Sequence, residues 1–332
     1  MMKFTPLCWA VLFVLCSTHA SGWDETGHRL TADIAFASLD EQTRQSLDQI
    51  LRQHPRFQTD FIDAMPVEVR SGPLRQRQSW LLGRAAYWPD VARGLPKAER
   101  DRYSRPNWHF IDGDLIGRST SIQGNVYIDV EPLPERSLFN AESVRQEQRV
   151  SHIITALDYN SFIYTSTPGN GAERAIALCW ILHLIGDVHQ PLHSGALFSA
   201  SIHRRGDRGG NDTITDLGSL HGRWDSALSA TDYAGTLAAL LTASERFINE
   251  NRNDPVGDWS LWLQESREIV TGPNVYTVLM RNGVSAAETA GNRPPAVQLT
   301  GQYVATMKDI SGRRIIQAGS RMASWLRNNT GA

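Results

Sequence analysis

Behind Asp40, apolar residues return at helical spacing: Leu47, Ile50 and Leu51 share one side, Glu41 and Asp48 lie on the other, and Asp40 is placed to cap the turn. The same 3.6-residue period runs through 80–88, 175–186, 233–247 and 259–270, and through two further segments covering 297–326. An all-α fold follows. Strand candidates are short, at 108–111 and 126–130, so a small β-hairpin at one edge is the most sheet expected. Stretches rich in Gly, Asp, Ser and Arg at 199–220 and 281–295 predict long loops, which often carry binding surfaces. With no linker and no repeat of fixed period, residues 23–332 are expected to form a single multi-helix domain, although 332 residues could hold two.

Residues 1–22 stand apart from that pattern. Lys3 precedes an apolar run at 7–16, and small residues follow up to Ser21 and Gly22, which reads as a secretory signal peptide. The run is far short of the roughly 20 residues a membrane span needs, so export without stable membrane association is expected, to the periplasm or the extracellular space. Ala20 and Gly22 suit the −3 and −1 positions of a cut that would leave Trp23 as the first residue; a cut after Ala20 is the competing option. Removal of the segment takes Cys8 and Cys16 with it and leaves Cys179 alone, which excludes an intramolecular disulfide. A large core or bound metal must then supply the stability. Cys179 lies in an apolar stretch and reads as a buried structural thiol.

The charge balance of 33 Lys and Arg against 35 Asp and Glu excludes an overall basic field for duplex binding, so any nucleic-acid contact must be local. Lys3, Lys97 and Lys308 are the lysines in that set, and an arginine-rich surface suits phosphate and base contact.

The densest chemical signal runs from His183 to His193. His183 and Asp187 are four residues apart and share a helical face, inside an apolar run where neither can be buried without a partner. Pro191 ends that helix and lets His193 return from another direction. His221 and Asp225 repeat the four-residue spacing. Imidazole and carboxylate together suit zinc, whereas one isolated pair of this kind would be an ordinary surface hydrogen bond. His189 points away from the His183 face and reads as a packing residue or a support to the ligands. Upstream, Asp90 with Arg93 and His109 with Asp112 lie beside large aromatics, and the segment from Trp23 to His28 opens the expected mature chain.

In order along the chain, Trp23 with Gly27 and His28, Trp88-Pro-Asp90, His109-Phe110, the motif from His183 to His193, Gly209-Gly210-Asn211 and Leu220-His221 with Trp224-Asp225 make the sequence similar to the S1/P1 nucleases, relatives of the zinc phospholipases C. The resemblance implies a phospholipase C/P1 nuclease-like helical fold, and three zinc ions. Asp90, His109, His183 and Asp187 would hold one; the amino nitrogen and carbonyl of Trp23, with His28 and a shared Asp187, a second; His193, His221 and Asp225 the third. It also implies that Arg93 clamps the phosphate, that Asp112 orients or deprotonates the attacking water or contacts a base, and that Phe110 and Asn211 bind substrate. The activity implied is endonucleolytic hydrolysis of single-stranded DNA and RNA to 5′-phosphate products, with 3′-nucleotidase activity, by a monomer. Two rivals use the same residues: a zinc phospholipase C, and a non-catalytic helical binding protein stapled by metal. The short spacing from Trp23 to His28 and Asp225 as closing ligand, where phospholipases tend to have Glu, favour the nuclease. Ser219 and Pro89 depart from the family pattern without removing a ligand.

Overall fold

The computed structural model describes residues 22–112, 150–166, 169–229, 232–250 and 255–330. The expected signal segment 1–21, with Cys8 and Cys16, and the strand candidate at 126–130 lie outside them.

The chain enters α1 (Glu25–Ser38) behind Asp24, whose side chain accepts from Gly27 N, and α2 (Glu41–Leu51) behind Asp40, which accepts from Thr43 N. A π-helical turn (Phe57–Ile62) and α3 (Val67–Arg70) lead to α4 (Leu74–Arg93), which carries Pro89 inside it. α5 (Lys97–Tyr103) and a 3₁₀ turn (Pro106–His109) follow. Next come α6 (Ile153–Ser166), α7 (Gly171–Val188), a second 3₁₀ turn (Pro191–His193) and α8 (Leu220–Asp225). The chain continues through α9 (Tyr233–Glu250), α10 (Trp259–Thr271), α11 (Val278–Ala290) and α12 (Gly301–Thr330). The fold is all-α.

α7 is apolar on nearly every side, which suits a helix enclosed by others, and from Ala177 to Val188 every residue is buried. It packs against α6 and α4, while α1 lies between α4 and α12. One large apolar cluster joins α1, α2, α4, α6, α7 and α10, and a second joins α8, α10, α11 and α12. Cys179 is a buried free thiol, and burial pushes its pKa up.

Three expectations fail. Residues 108–111 are not a strand: Pro106 starts a 3₁₀ turn through His109, and the backbone beyond it is irregular. The short ladder of the described residues lies instead inside the expected loop 199–220, where β1 (Ile214–Thr215) pairs antiparallel with β2 (Gly218–Ser219). The expected loop 281–295 is helical as far as Ala290, because Thr277 caps Met280 N and Met280, Val284 and Ala287 bury one face. The two segments of 297–326 are one 30-residue helix, starting at Gly301.

Candidate metal centre

His183 and Asp187, one turn apart on α7, are fully buried. Carboxylate and imidazole groups so placed demand partners, and three other segments bring them. α1 supplies His28, whose Nε2 lies 3.3 Å from Asp187 Oδ1 and whose ring stacks on His183 with centroids 3.9 Å apart. Gly186 makes room for it, since a Cβ there would lie 2.9 Å from His28 Nδ1. The last turn of α4 supplies Asp90, and the first 3₁₀ turn supplies His109, with Nδ1 3.0 Å from Asp187 Oδ2.

Hydrogen bonding fixes which ring nitrogens face inward. His183 Nδ1 is 2.8 Å from Ala86 O, and a carbonyl can only accept, so Nδ1 carries the proton and Nε2 the lone pair. That lone pair lies 2.8 Å from His109 Nδ1, 3.1 Å from Asp187 Oδ2 and 3.9 Å from Asp90 Oδ1. By the same reasoning His193 Nδ1 donates to His109 O and His221 Nδ1 to Gly209 O, 2.7 Å away. The two Nε2 lone pairs then face each other at 3.2 Å, and Asp225 Oδ2 stands 3.4 Å from His221 Nε2. Lone pairs and carboxylates aimed at one point repel unless a cation lies between them. A ring N–H donated outward to a carbonyl is the usual way of orienting a metal-binding histidine.

Among the described residues, three groups could accept an ion: His28, Asp90 and His183; His109, His183 and Asp187; His193, His221 and Asp225. The third is the expected set. The first two contain all the expected side chains of the paired sites, with His28 grouped beside Asp90 and His183 as well as near Asp187. Both ring nitrogens of His28, His109 Nε2, both Asp90 oxygens and Asp187 Oδ1 are buried without a hydrogen-bond partner. Such atoms are costly alone and satisfied by a metal, so the donor set fits zinc. Trp23 is buried with its indole N–H on Gly186 O at 3.0 Å. A Cβ built at Gly22 would overlap the Asp187 carboxylate, and Asp24 N donates to the main-chain carbonyl of Asp225, so the main chain on either side of Trp23 lies against these two residues.

Electrostatics follow the grouping. Burial pushes the Asp187 carboxyl up, but His183, His193 and His109 outweigh it and hold it well below the usual carboxylate range. Burial lowers His183, yet Asp187 and Asp90 prevail and raise it; burial and His183 together lower His28. Burial pushes Asp225 well up, a penalty that a neighbouring cation would cancel.

Arg93 sits one turn beyond Asp90 with its Nε 3.2 Å from Asp90 Oδ1; both side chains are largely buried, so this is not a surface ion pair. Ile111 N donates to His193 O at 2.8 Å and holds the 110–112 stretch beside the third group. Asp112 is buried there, and burial with the nearby Asp207 pushes its carboxyl well up against the pull of Arg267 and Arg208. Phe110 is 6% exposed. Asn211 lies in the turn that presents the Gly209 carbonyl, and its amide donates to Arg208 O at 2.8 Å. His189 stays outside the three groups; its Nδ1 bonds Ile185 O, and Arg321 lies 2.9 Å from its Nε2.

Three supporting residues were not foreseen. Gln190 donates to Asp225 Oδ1 at 2.7 Å and accepts from Leu192 N at 2.6 Å, which ties the third group to the turn after α7. Asp207, fully buried, accepts from Leu197 N, Gly210 N, Thr213 and Tyr276, and so shapes the loop that holds Gly209. Arg267 donates to Ser194 O and faces Asp112 electrostatically. Gln190 lies inside the histidine motif and could have been suspected; Asp207 and Arg267 carry no local signal.

A family model described as S1/P1 Nuclease matches residues 23–330. The chain is 24% identical to Nuclease S1 of Aspergillus oryzae over 98% of its own length and 97% of that protein. It is 32% identical to Endonuclease 4 and 28% identical to Endonuclease 5 of Arabidopsis thaliana, each over 45% of this chain. These matches span about half the length of the two plant proteins, 49% of each. With a match over nearly all of its described length, and with the histidine and aspartate groups the motifs led to, the chain belongs to the S1/P1 nuclease family.

Proposed function

We propose that this protein is an exported trinuclear zinc endonuclease that hydrolyses single-stranded DNA and RNA to 5′-phosphate products and also acts on 3′-nucleotides. The observation that carries this reading is the set of three donor groups, two of which share His183 and all of which have a histidine within 3.9 Å of Asp187, with the Arg93 guanidinium beside Asp90. The similarity to Nuclease S1, a nuclease by name, favours the nuclease over the phospholipase.

Bound zinc supplies Lewis acidity toward phosphate oxygens and toward water. The chain's own residues do the rest. His28, Asp90, His109, His183 and Asp187, with the freed amino group and carbonyl of Trp23, hold two ions; His193, His221 and Asp225 hold the third. Arg93 pairs with non-bridging phosphate oxygens as charge builds up, while Asp112 orients the attacking water and takes up its proton. Duplex is a poor substrate, because drawing a base from the stack costs a few kcal/mol. The donor groups lie away from bulk water, which strengthens every charge interaction within them.

The test is to offer single-stranded DNA, RNA and a short-chain phosphatidylcholine side by side to the purified protein, with and without a chelator. Chelator-sensitive cleavage of both nucleic acids is expected. Lipid turnover without nucleic-acid cleavage would place the protein with the phospholipases, and tightly held zinc with neither activity would leave a structural role for the metals.

A further inference from the structure

The turn that leads the histidine motif out of α7 is gripped at both ends by side chains of α10 and α12. Val188 and His189 close α7, so their carbonyls have no partner within the helix, and both residues are buried. Ser266 of α10 donates its hydroxyl to Val188 O at 2.6 Å, and Arg314 of α12 donates Nε to His189 O at 3.0 Å. At the far end of the turn, Arg267 donates Nε to Ser194 O at 3.1 Å. The His189 ring is held as well. Its Nδ1 donates to Ile185 O, so its Nε2 accepts, and the Arg321 guanidinium stands 2.9 Å from it. Glu265 fixes both arginines: its Oε2 lies 2.8 Å from Arg314 and 2.6 Å from Arg321, and its Oε1 2.7 Å from Arg321. Arg314 also donates to Ser266 Oγ at 2.7 Å. Between the two grips lie Gln190, which holds Asp225, and His193, which belongs to the third metal-binding group.

Stability alone does not call for this arrangement, because replacing a buried arginine–carboxylate–arginine triad by apolar residues of similar volume is often neutral or stabilising. What the triad supplies is direction. Arg314 is 2% exposed and Arg321 5%, and their donors end on the main chain and ring of His189, two residues after Asp187 and four before His193. We propose that Ser266, Arg267, Arg314 and Arg321, with Glu265 behind the two α12 arginines, are positioning residues for the third metal-binding group. They act through the 188–194 turn, holding it so that His193 and the Gln190-bound Asp225 meet His221. The assignment of an ion to that group rests on the zinc reading; the grip on the turn rests on the hydrogen bonds alone.

The experiment follows zinc release to a competing chelator, and backbone amide exchange, in the wild-type protein and its variants. Arg314→Met keeps the aliphatic stem and removes the guanidinium. One ion should then leave at a chelator concentration about 10- to 100-fold lower, the usual effect of losing a support behind a ligand, while the others are held as before. Cleavage of single-stranded DNA should fall with that ion and return when zinc is added. In the metal-free protein, amides within 188–194 should exchange about 10-fold faster and those of α1 at their old rate. Arg314→Lys keeps the charge without the planar fork and should recover part of the loss. Ser266→Ala is a milder change with the same expected pattern, and it serves if Arg314→Met folds poorly. Arg44→Met removes a comparably buried arginine that donates to Phe36 O at 3.1 Å, and should leave every ion as it was. Equal loosening of all the ions, or unchanged release and exchange in both Arg314→Met and Ser266→Ala, would overturn the proposal. Failure of the zinc reading shows differently, as a wild-type protein that holds fewer than three ions, and amide exchange then still decides whether the turn is held from α10 and α12.

Discussion

Asp187 has His28, His109 and His183 within 3.3 Å of its two oxygens, and His193 within 3.9 Å. Asp187→Asn keeps the shape, removes the charge and turns one oxygen into an N–H₂ donor facing unprotonated imidazoles. Activity should vanish and more than one zinc per chain should be lost, read by metal analysis of the purified variant; full zinc content would contradict a shared ligand. Arg93 touches the centre through Asp90 and holds no metal in this account. Arg93→Ala should therefore slow turnover by about 10²-fold or more while zinc is retained, the usual effect of losing a donor that stabilises charge in the transition state. A wild-type rate would remove its role.

Among the elements, α1 and α12 matter because α1 carries His28 and is held by α12 from behind. Their approach depends on Gly319, where a Cβ would lie 2.7 Å from Ile34 Cβ and 2.9 Å from Thr31 O. Gly319→Ala gains up to about 1 kcal/mol in helix propensity but overpacks a tight contact at a cost of about 1–3 kcal/mol. The melting temperature should fall by a few degrees, and a rise would contradict the close packing. Elements of this kind were legible where the apolar pattern is long, on one face in α9 and α10 and on nearly every side in α7. α11 was not, because its buried face is only Met280, Val284 and Ala287, set among Asn282, Gly283 and Ser285. The aromatic alternation at 108–111 imitates a strand, but Pro106 and the bond from Ile111 N to His193 O decide the backbone there. The pairs His183/Asp187 and His221/Asp225 were legible from their four-residue spacing, whereas His28, Asp90 and His109 joined them only through the resemblance to a family, because no local pattern marks them. Gln190 and Asp207 were not legible, since their roles arise from partners as far away as Asp225 and Tyr276.

At the scale of the whole molecule, the groups that could hold metal draw on α1, α4, α7, α8 and the two 3₁₀ turns, and Cys179 is left as a buried thiol. An exported chain that keeps no disulfide would draw on these ions for stability as well as for chemistry. The start of the mature chain is part of the same design. Gly22 lies against the Asp187 carboxylate and Asp24 N is bonded to the Asp225 main-chain carbonyl, so a cut after Gly22 would leave a free amino group beside Asp187, whereas a peptide nitrogen offers no lone pair to a metal. Zinc per chain tests this most directly, measured on protein beginning at Trp23 beside the same protein beginning at Ser21. About three ions are expected in the first and about two in the second. Equal content in both, or no more than one ion in either, would contradict it.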